Sequence, residues 1–135
     1  MDELVEFLRA RIAKDEQIAR AGSGAAWRPS PPGSVSLDTP GGERKPDGPG
    51  RPGFVAQAEN ESYAEHIARH HPARILHDVA AKRLILDEYV KAEWLLSSGH
   101  RSEAAEAAQA VRLTTLRALA SAYSDHPAYH QEWRT

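Results

Sequence analysis

Apolar residues recur at helical spacing near both ends of the chain, and a stretch rich in glycine and proline lies between them. Eight of the nine glycines and seven of the nine prolines fall between Gly22 and Gly53. Neither residue type suits the interior of a helix. We therefore expect an N-terminal helix, an irregular middle and a helical C-terminal half.

The N-terminal helix is predicted over residues 2–21, because Asp2 is a good cap and "AGSG" would end the helix. Charged side chains occupy one side of this helix, so the other side should pack on a partner. Four apolar positions fall near that packing face: Leu4, Leu8, Ile12 and Ala19.

Two short segments of the middle are compatible with β-strands, "SVSLD" at 34–38 and "FVAQA" at 54–58. They form either a two-stranded hairpin or parts of a disordered, extended linker, and the sequence leaves both open. A hairpin would need to pack through the apolar side chains Trp27, Val35, Leu37, Phe54 and Val55. The segment 41–53 has no apolar anchor, so we expect it to be mobile and dispensable.

The C-terminal half is predicted to begin with two helices that meet at a proline. Ser62 and Glu65 have the spacing of a capping box, so a short helix should start there and end at His71. Pro72 suits the first turn of a long helix that runs to Ser97.

A last helix is predicted from a Ser102 cap to about Tyr123. The rings of Tyr129 and Trp133 should fold the tail 124–135 back onto the helices. We therefore predict a mainly α fold, a small helical bundle with a Gly/Pro-rich insertion in which a β-hairpin is one alternative. The single domain spans 1–135, with an N-terminal helix at 1–21, the insertion at 22–59, a helical core at 60–123 and the tail.

The long helix is apolar on more than one side. One predicted face carries Leu76, Val79, Leu86, Val90 and Trp94. Other large apolar residues point elsewhere: Leu84, Ile85, Leu95 and Leu96. Because a chain this short has few helices to cover them, we expect two chains to pair along this helix as a homodimer.

Composition excludes several classes of function. The net charge is −2, from 17 basic and 19 acidic residues that are interspersed, so a nucleic-acid partner is not expected. The absence of cysteine removes disulfides, thiol catalysis and thiolate zinc sites. The charged start does not resemble a signal peptide, and no apolar run is long enough for a membrane span. A cytoplasmic location follows as the expectation.

The stretch "AEHIARHHPARILHD" at 64–78 holds four of the seven histidines. His66 and His70 are four residues apart, a spacing that helical metal sites use, but Ile67 stands where a zinc protease needs glutamate. The weaker hypothesis is a metal site chosen from His66, His70, His100, His126 and His130.

The favoured interpretation of this stretch is a helix–proline–helix junction whose histidines are structural. His66 and His70 share one face of the short helix, where the folded-back tail would bury them and accept or donate hydrogen bonds. We expect no catalytic residue, metal or cofactor.

Three segments resemble a family of small proteins of unknown function that is frequent in actinobacteria and their phages. They are "FLRARIAKDEQIAR", "AEHIARHHPARILHDVAAKRLIL" and "LRALASAYSDHPAYHQEW". The resemblance implies a small intracellular protein, encoded by a bacterium, a phage or another mobile element, and implies no activity. Relatives of this kind often carry a loop with cysteine and histidine before the last helix, whereas this chain keeps only His100 there.

These observations favour a non-enzymatic binding or regulatory protein that acts through contacts with a protein partner not identified by the sequence, with no membrane partner. One alternative hypothesis is a histidine-based metal protein, structural or hydrolytic. Another is a DNA-associated accessory factor of a mobile element.

Overall fold

The computed structural model describes residues 2–22, 24–38 and 53–135. Its elements in chain order are α1 (Asp2–Ala21), β1 (Trp27–Ser30), β2 (Ser34–Leu37), β3 (Phe54–Gln57), α2 (Glu61–Arg69), α3 (Pro72–Ser97), α4 (Glu103–Ser121) and a 3-10 helix (Gln131–Trp133). The prediction of a mainly α fold with a β insertion is confirmed. None of the described helices combines the length and the apolarity needed to cross a bilayer.

The chain divides into two compact units. The first, which we call the helical unit, is formed by Met1–Lys14 with Val79–Thr135, and the second, the sheet unit, by Asp15–Asp78. Helices α1 and α3 each contribute residues to both units.

The core of the helical unit is built from the apolar faces of three helices and from the tail. Of the side chains predicted for the packing face of α1, Leu4, Leu8 and Ile12 are buried in this unit together with Phe7, and Ala19 is buried in the sheet unit. Removing such side chains from water is the main stabilising contribution to a small domain. The buried core residues of this unit include Leu4, Phe7, Leu8, Ile12, Val79, Leu86, Tyr89, Leu96, Leu116, Ala120, Tyr129 and Trp133.

The face that α3 turns to the core is only partly the predicted one, since Val79 and Leu86 are buried there as expected. Trp94, placed on the packing face, is 65% exposed, whereas Leu96, placed outside it, is only 8% exposed. The observed face is set by Leu86 and Tyr89, with Tyr89 1% exposed. At about 100° per residue, Trp94 lies roughly 80° away from Leu86 around the helix, so it points outside the buried stripe.

One buried polar side chain joins α3 to α4. Gln109 is 6% exposed, and its Nε2 donates hydrogen bonds to the Tyr89 carbonyl oxygen (3.1 Å) and to Glu93 Oε1 (2.8 Å). Its Oε1 accepts one from Arg112 (3.3 Å). A buried amide with both ends satisfied fixes the register of two helices without leaving an unpaired group.

The sheet unit contains an antiparallel sheet in the order β1-β2-β3, so the hairpin alternative was correct but incomplete. Strand β1 pairs with β2 in a register that places Trp27 opposite Leu37, and β2 pairs with β3 with a bulge at Val35 and Ser36. Pro29 lies in β1, an edge strand, where a missing backbone N–H is tolerated. Apart from Gly53, the segment 41–53 lies outside the described residues.

Helix α2 packs on this sheet through small side chains. Ala64 and Ala68, one helical turn apart, are buried together with Val35 of β2, and Trp27 and Val55 pack against them. Alanine at both positions lets the helix approach the sheet closely, and these contacts account for the stability of strands that would be marginal alone.

The predicted bounds of α2 need correction at both ends. Its N-cap is Asn60, which accepts a hydrogen bond from the Tyr63 backbone N–H (2.9 Å), so Ser62 does not cap it. An Asn cap serves as well as Ser. The helix ends at Arg69, before the expected His71, while the predicted Ser102 cap of α4 is confirmed.

Candidate functional site

The C-terminal tail packs on α1 through a cluster of aromatic rings centred on Phe7. The Phe7 ring centroid lies 5.1 Å from Trp133, 5.7 Å from His126, 6.0 Å from Tyr129 and 6.3 Å from Tyr123. Three of these contacts are edge-to-face, the arrangement that the charge distribution of aromatic rings favours. We call these five residues the Phe7 cluster.

The Phe7 cluster positions a group of ionisable side chains at its edge. The ring of His130 stacks on Trp133, with centroids 4.4 Å apart and planes 7° from parallel. Its Nδ1 lies 3.3 Å from Glu132 Oε1 and 3.6 Å from Glu3 Oε2. The three groups each offer one ligand atom, and these atoms all lie within 4.8 Å of one another. This arrangement suits either a protonated imidazolium between two carboxylates or a bound cation.

A small open pocket of about 140 Å³ adjoins this group, lined by Leu4, Leu113, Arg117, Glu132 and Trp133. The Nε of Arg117 is buried and has no hydrogen-bond partner among the residues that the structure describes. Pockets that hold drug-sized ligands are about 300–1,000 Å³, so this pocket does not indicate a substrate site of ordinary size.

Three of the four histidines of "AEHIARHHPARILHD" make contacts with residues close to them in sequence. The His66 and His70 rings lie 4.4 Å apart, and His70 Nδ1 is 2.7 Å from the His66 carbonyl oxygen, to which it donates. His71 Nδ1 accepts the Arg74 backbone N–H (3.1 Å) in the first turn of α3. Both His66 and His70 are exposed side chains of the sheet unit, whereas the tail belongs to the helical unit, so their burial by the tail stays a prediction.

The metal ligands predicted from the sequence are only partly those that the structure brings into one group. Within the described residues, the group of three possible ligands contains one predicted histidine, His130, and two glutamates that sequence reasoning missed. In the tail, the spacing of His130 and Glu132 was an available signal, but nothing in the sequence pointed to Glu3. The other candidates belong to no such group among the described residues: His66, His70, His100 and His126.

Comparison with known proteins yields a family and no function. A family model described as a family of unknown function, DUF6221, matches residues 1–135. No curated protein and no solved structure matches the chain.

Proposed function

We propose that this chain, which belongs to the DUF6221 family of unknown function, is a non-enzymatic binding or regulatory protein that acts through protein–protein contacts. A cytoplasmic location and an origin in an actinobacterium or its phage belong to the same proposal. The observation that carries it is the exposure of large apolar side chains on α3.

Trp94 on α3 is the centre of this argument. It is 65% exposed, and Leu84 on the same helix is 69% exposed. Single exposed apolar residues are common, but tryptophan is among the residue types most enriched at the energetic centres of protein interfaces. Covering the indole with a partner removes a large apolar surface from water.

The exposed residues of α3 can be reached by one partner. Leu84 and Trp94 are ten residues apart, which places them about 15 Å apart along the helix and about 80° apart around it. Leu95 lies within about 20° of Leu84 around the same helix and is half-buried. A standard interface buries about 800 Å² per partner, so these side chains would form its apolar centre and neighbouring residues would have to be covered with them. We define the α3 surface as Leu84, Trp94 and Leu95.

The first partner to test is a second copy of the chain. Sedimentation equilibrium over a wide range of concentrations should show reversible association of the wild-type protein, and Trp94→Ser should weaken it at least about tenfold. Tyr63→Ser is the matched control, since Tyr63 is also an exposed aromatic residue, 57% exposed, but lies on α2.

A photo-crosslinking amino acid at position 94 tests other partners. In extracts of the native host, it should capture a defined protein that the same group at position 63 does not capture. If the wild-type chain stays monomeric and the position-94 probe captures no protein beyond those that the position-63 probe captures, the binding proposal is wrong.

A further inference from the structure

Glu3, His130 and Glu132 bring three possible ligand atoms within 4.8 Å of one another. With metal–ligand bonds of about 2.0–2.1 Å, the corners of a tetrahedral zinc site are about 3.3 Å apart. The distances from His130 Nδ1 to the nearest oxygens of Glu132 and Glu3 are 3.3 and 3.6 Å. We propose that these three side chains bind a divalent first-row metal ion, with zinc as the best fit.

The chemistry of the donor set selects the class of ion. Imidazole nitrogen is a ligand for zinc, nickel and copper, whereas magnesium and calcium are held by oxygen atoms. A neutral imidazole with two carboxylates offers two negative charges to a doubly charged cation. Three protein ligands leave one tetrahedral position for water, which suits a site whose three side chains are partly or largely open to solvent.

The orientation of the imidazole is set before any metal arrives. Trp133 is 6% exposed and held in the Phe7 cluster, and the His130 ring lies parallel on its face. The stack turns Nδ1 toward both carboxylates, so less side-chain freedom is lost when a metal binds.

The carboxylates are not neutralised by a permanent cation. Within the described residues, Glu3 and Glu132 form their ion pairs with His130 and with no lysine or arginine. Arg117 lines the pocket that Glu132 also lines, so it is the fixed charge that would compete for Glu132. A dication bound between the two glutamates would therefore displace only their contacts with His130 among the described residues.

Calorimetric titration of the metal-free 135-residue chain with zinc chloride tests the site, and magnesium chloride serves as the comparison. We expect one zinc ion per chain and much weaker binding of magnesium. His130→Ala, Glu132→Gln and Glu3→Gln should each weaken zinc binding at least about tenfold. Cobalt chloride should give the intense visible absorption of a tetrahedral ion, and the variants should lose it.

The His66 and His70 pair provides the control that can overturn the proposal. A variant with both of these residues replaced by alanine should bind zinc as the wild type does. Zinc binding that survives His130→Ala but is lost in this double variant would place the ion on α2 and refute the assignment. Absence of binding at millimolar zinc would show that His130 only forms ion pairs with the two glutamates. Thermal melting of each variant confirms that the fold is intact, and none of these outcomes depends on the α3 surface.

Discussion

Replacing Phe7 by alanine should strongly destabilise the helical unit. Phe7 is 6% exposed, and its ring contacts four other rings, all contributed by residues that follow α4 in the chain. Removing it leaves a cavity into which neither α1 nor the tail can collapse without losing contacts elsewhere.

The magnitude follows from burial and from the ring contacts. Truncation of a buried phenylalanine to alanine costs about 3–5 kcal/mol. Each aromatic pair adds about 0.5–1.5 kcal/mol beyond the buried area, so we expect Phe7→Ala near the upper end of that range. Phe7→Leu keeps most of the apolar volume and loses the ring edges, and should cost about 1–3 kcal/mol. A domain of this size is stable by about 5–15 kcal/mol, so Phe7→Ala removes a large share.

Urea unfolding followed by near-ultraviolet circular dichroism measures these differences. The control is Tyr63→Ala, because Tyr63 is 57% exposed and its removal should change the free energy of unfolding by less than about 1 kcal/mol. If Phe7→Ala lies within about 1 kcal/mol of the wild type with an unchanged denaturant slope, the Phe7 cluster does not hold the tail as described.

Two further predictions concern the sheet unit. Gly33→Ala should destabilise it, because an added Cβ would stand 2.6 Å from the Ala58 carbonyl oxygen. Gly99→Ala, which meets no atom within 4 Å, should cost only the roughly 1 kcal/mol of its left-handed backbone, and equal thermal melting of both variants would refute the steric argument. Asn60→Ala should lower the free energy of unfolding by about 1 kcal/mol through loss of the helix cap. Ser62→Ala should change it by a few tenths, and the reverse order in urea titrations would restore the capping-box interpretation.

The helices could be predicted because their signals are local. Periodic apolar residues and the glycines and prolines between them mark α1, α3 and α4 almost to the residue. The face of α3 was harder, since an apolar helix offers several faces and only its neighbours choose among them. Tertiary packing buried Tyr89 and Leu96 and left Trp94 outside.

Strand β1 was missed because its sequence argues against a strand. "WRPS" contains a proline and one large apolar residue, and "PPG" follows it directly. The strand exists because the neighbouring β2 pairs with it across a tight turn and because α2, more than 30 residues further along the chain, supplies Ala64 and Ala68 against Trp27. Such contacts override local propensity.

The candidate metal site shows the same division between local and distant information. Sequence spacing gave equal weight to every pair of histidines one helical turn apart, and it named His130 only as one of five. His130 is distinguished by its tertiary contacts. Its ring stacks on Trp133, and the fold brings Glu3 of α1 close to the same nitrogen, Nδ1, that faces Glu132. The His66 and His70 pair has the better sequence signal, but a hydrogen bond to the backbone already occupies one nitrogen of His70. The side chains that surround each histidine therefore decide whether it can join a set of metal ligands. In this chain, Trp133 of the tail holds the His130 ring so that its Nδ1 faces the two glutamates.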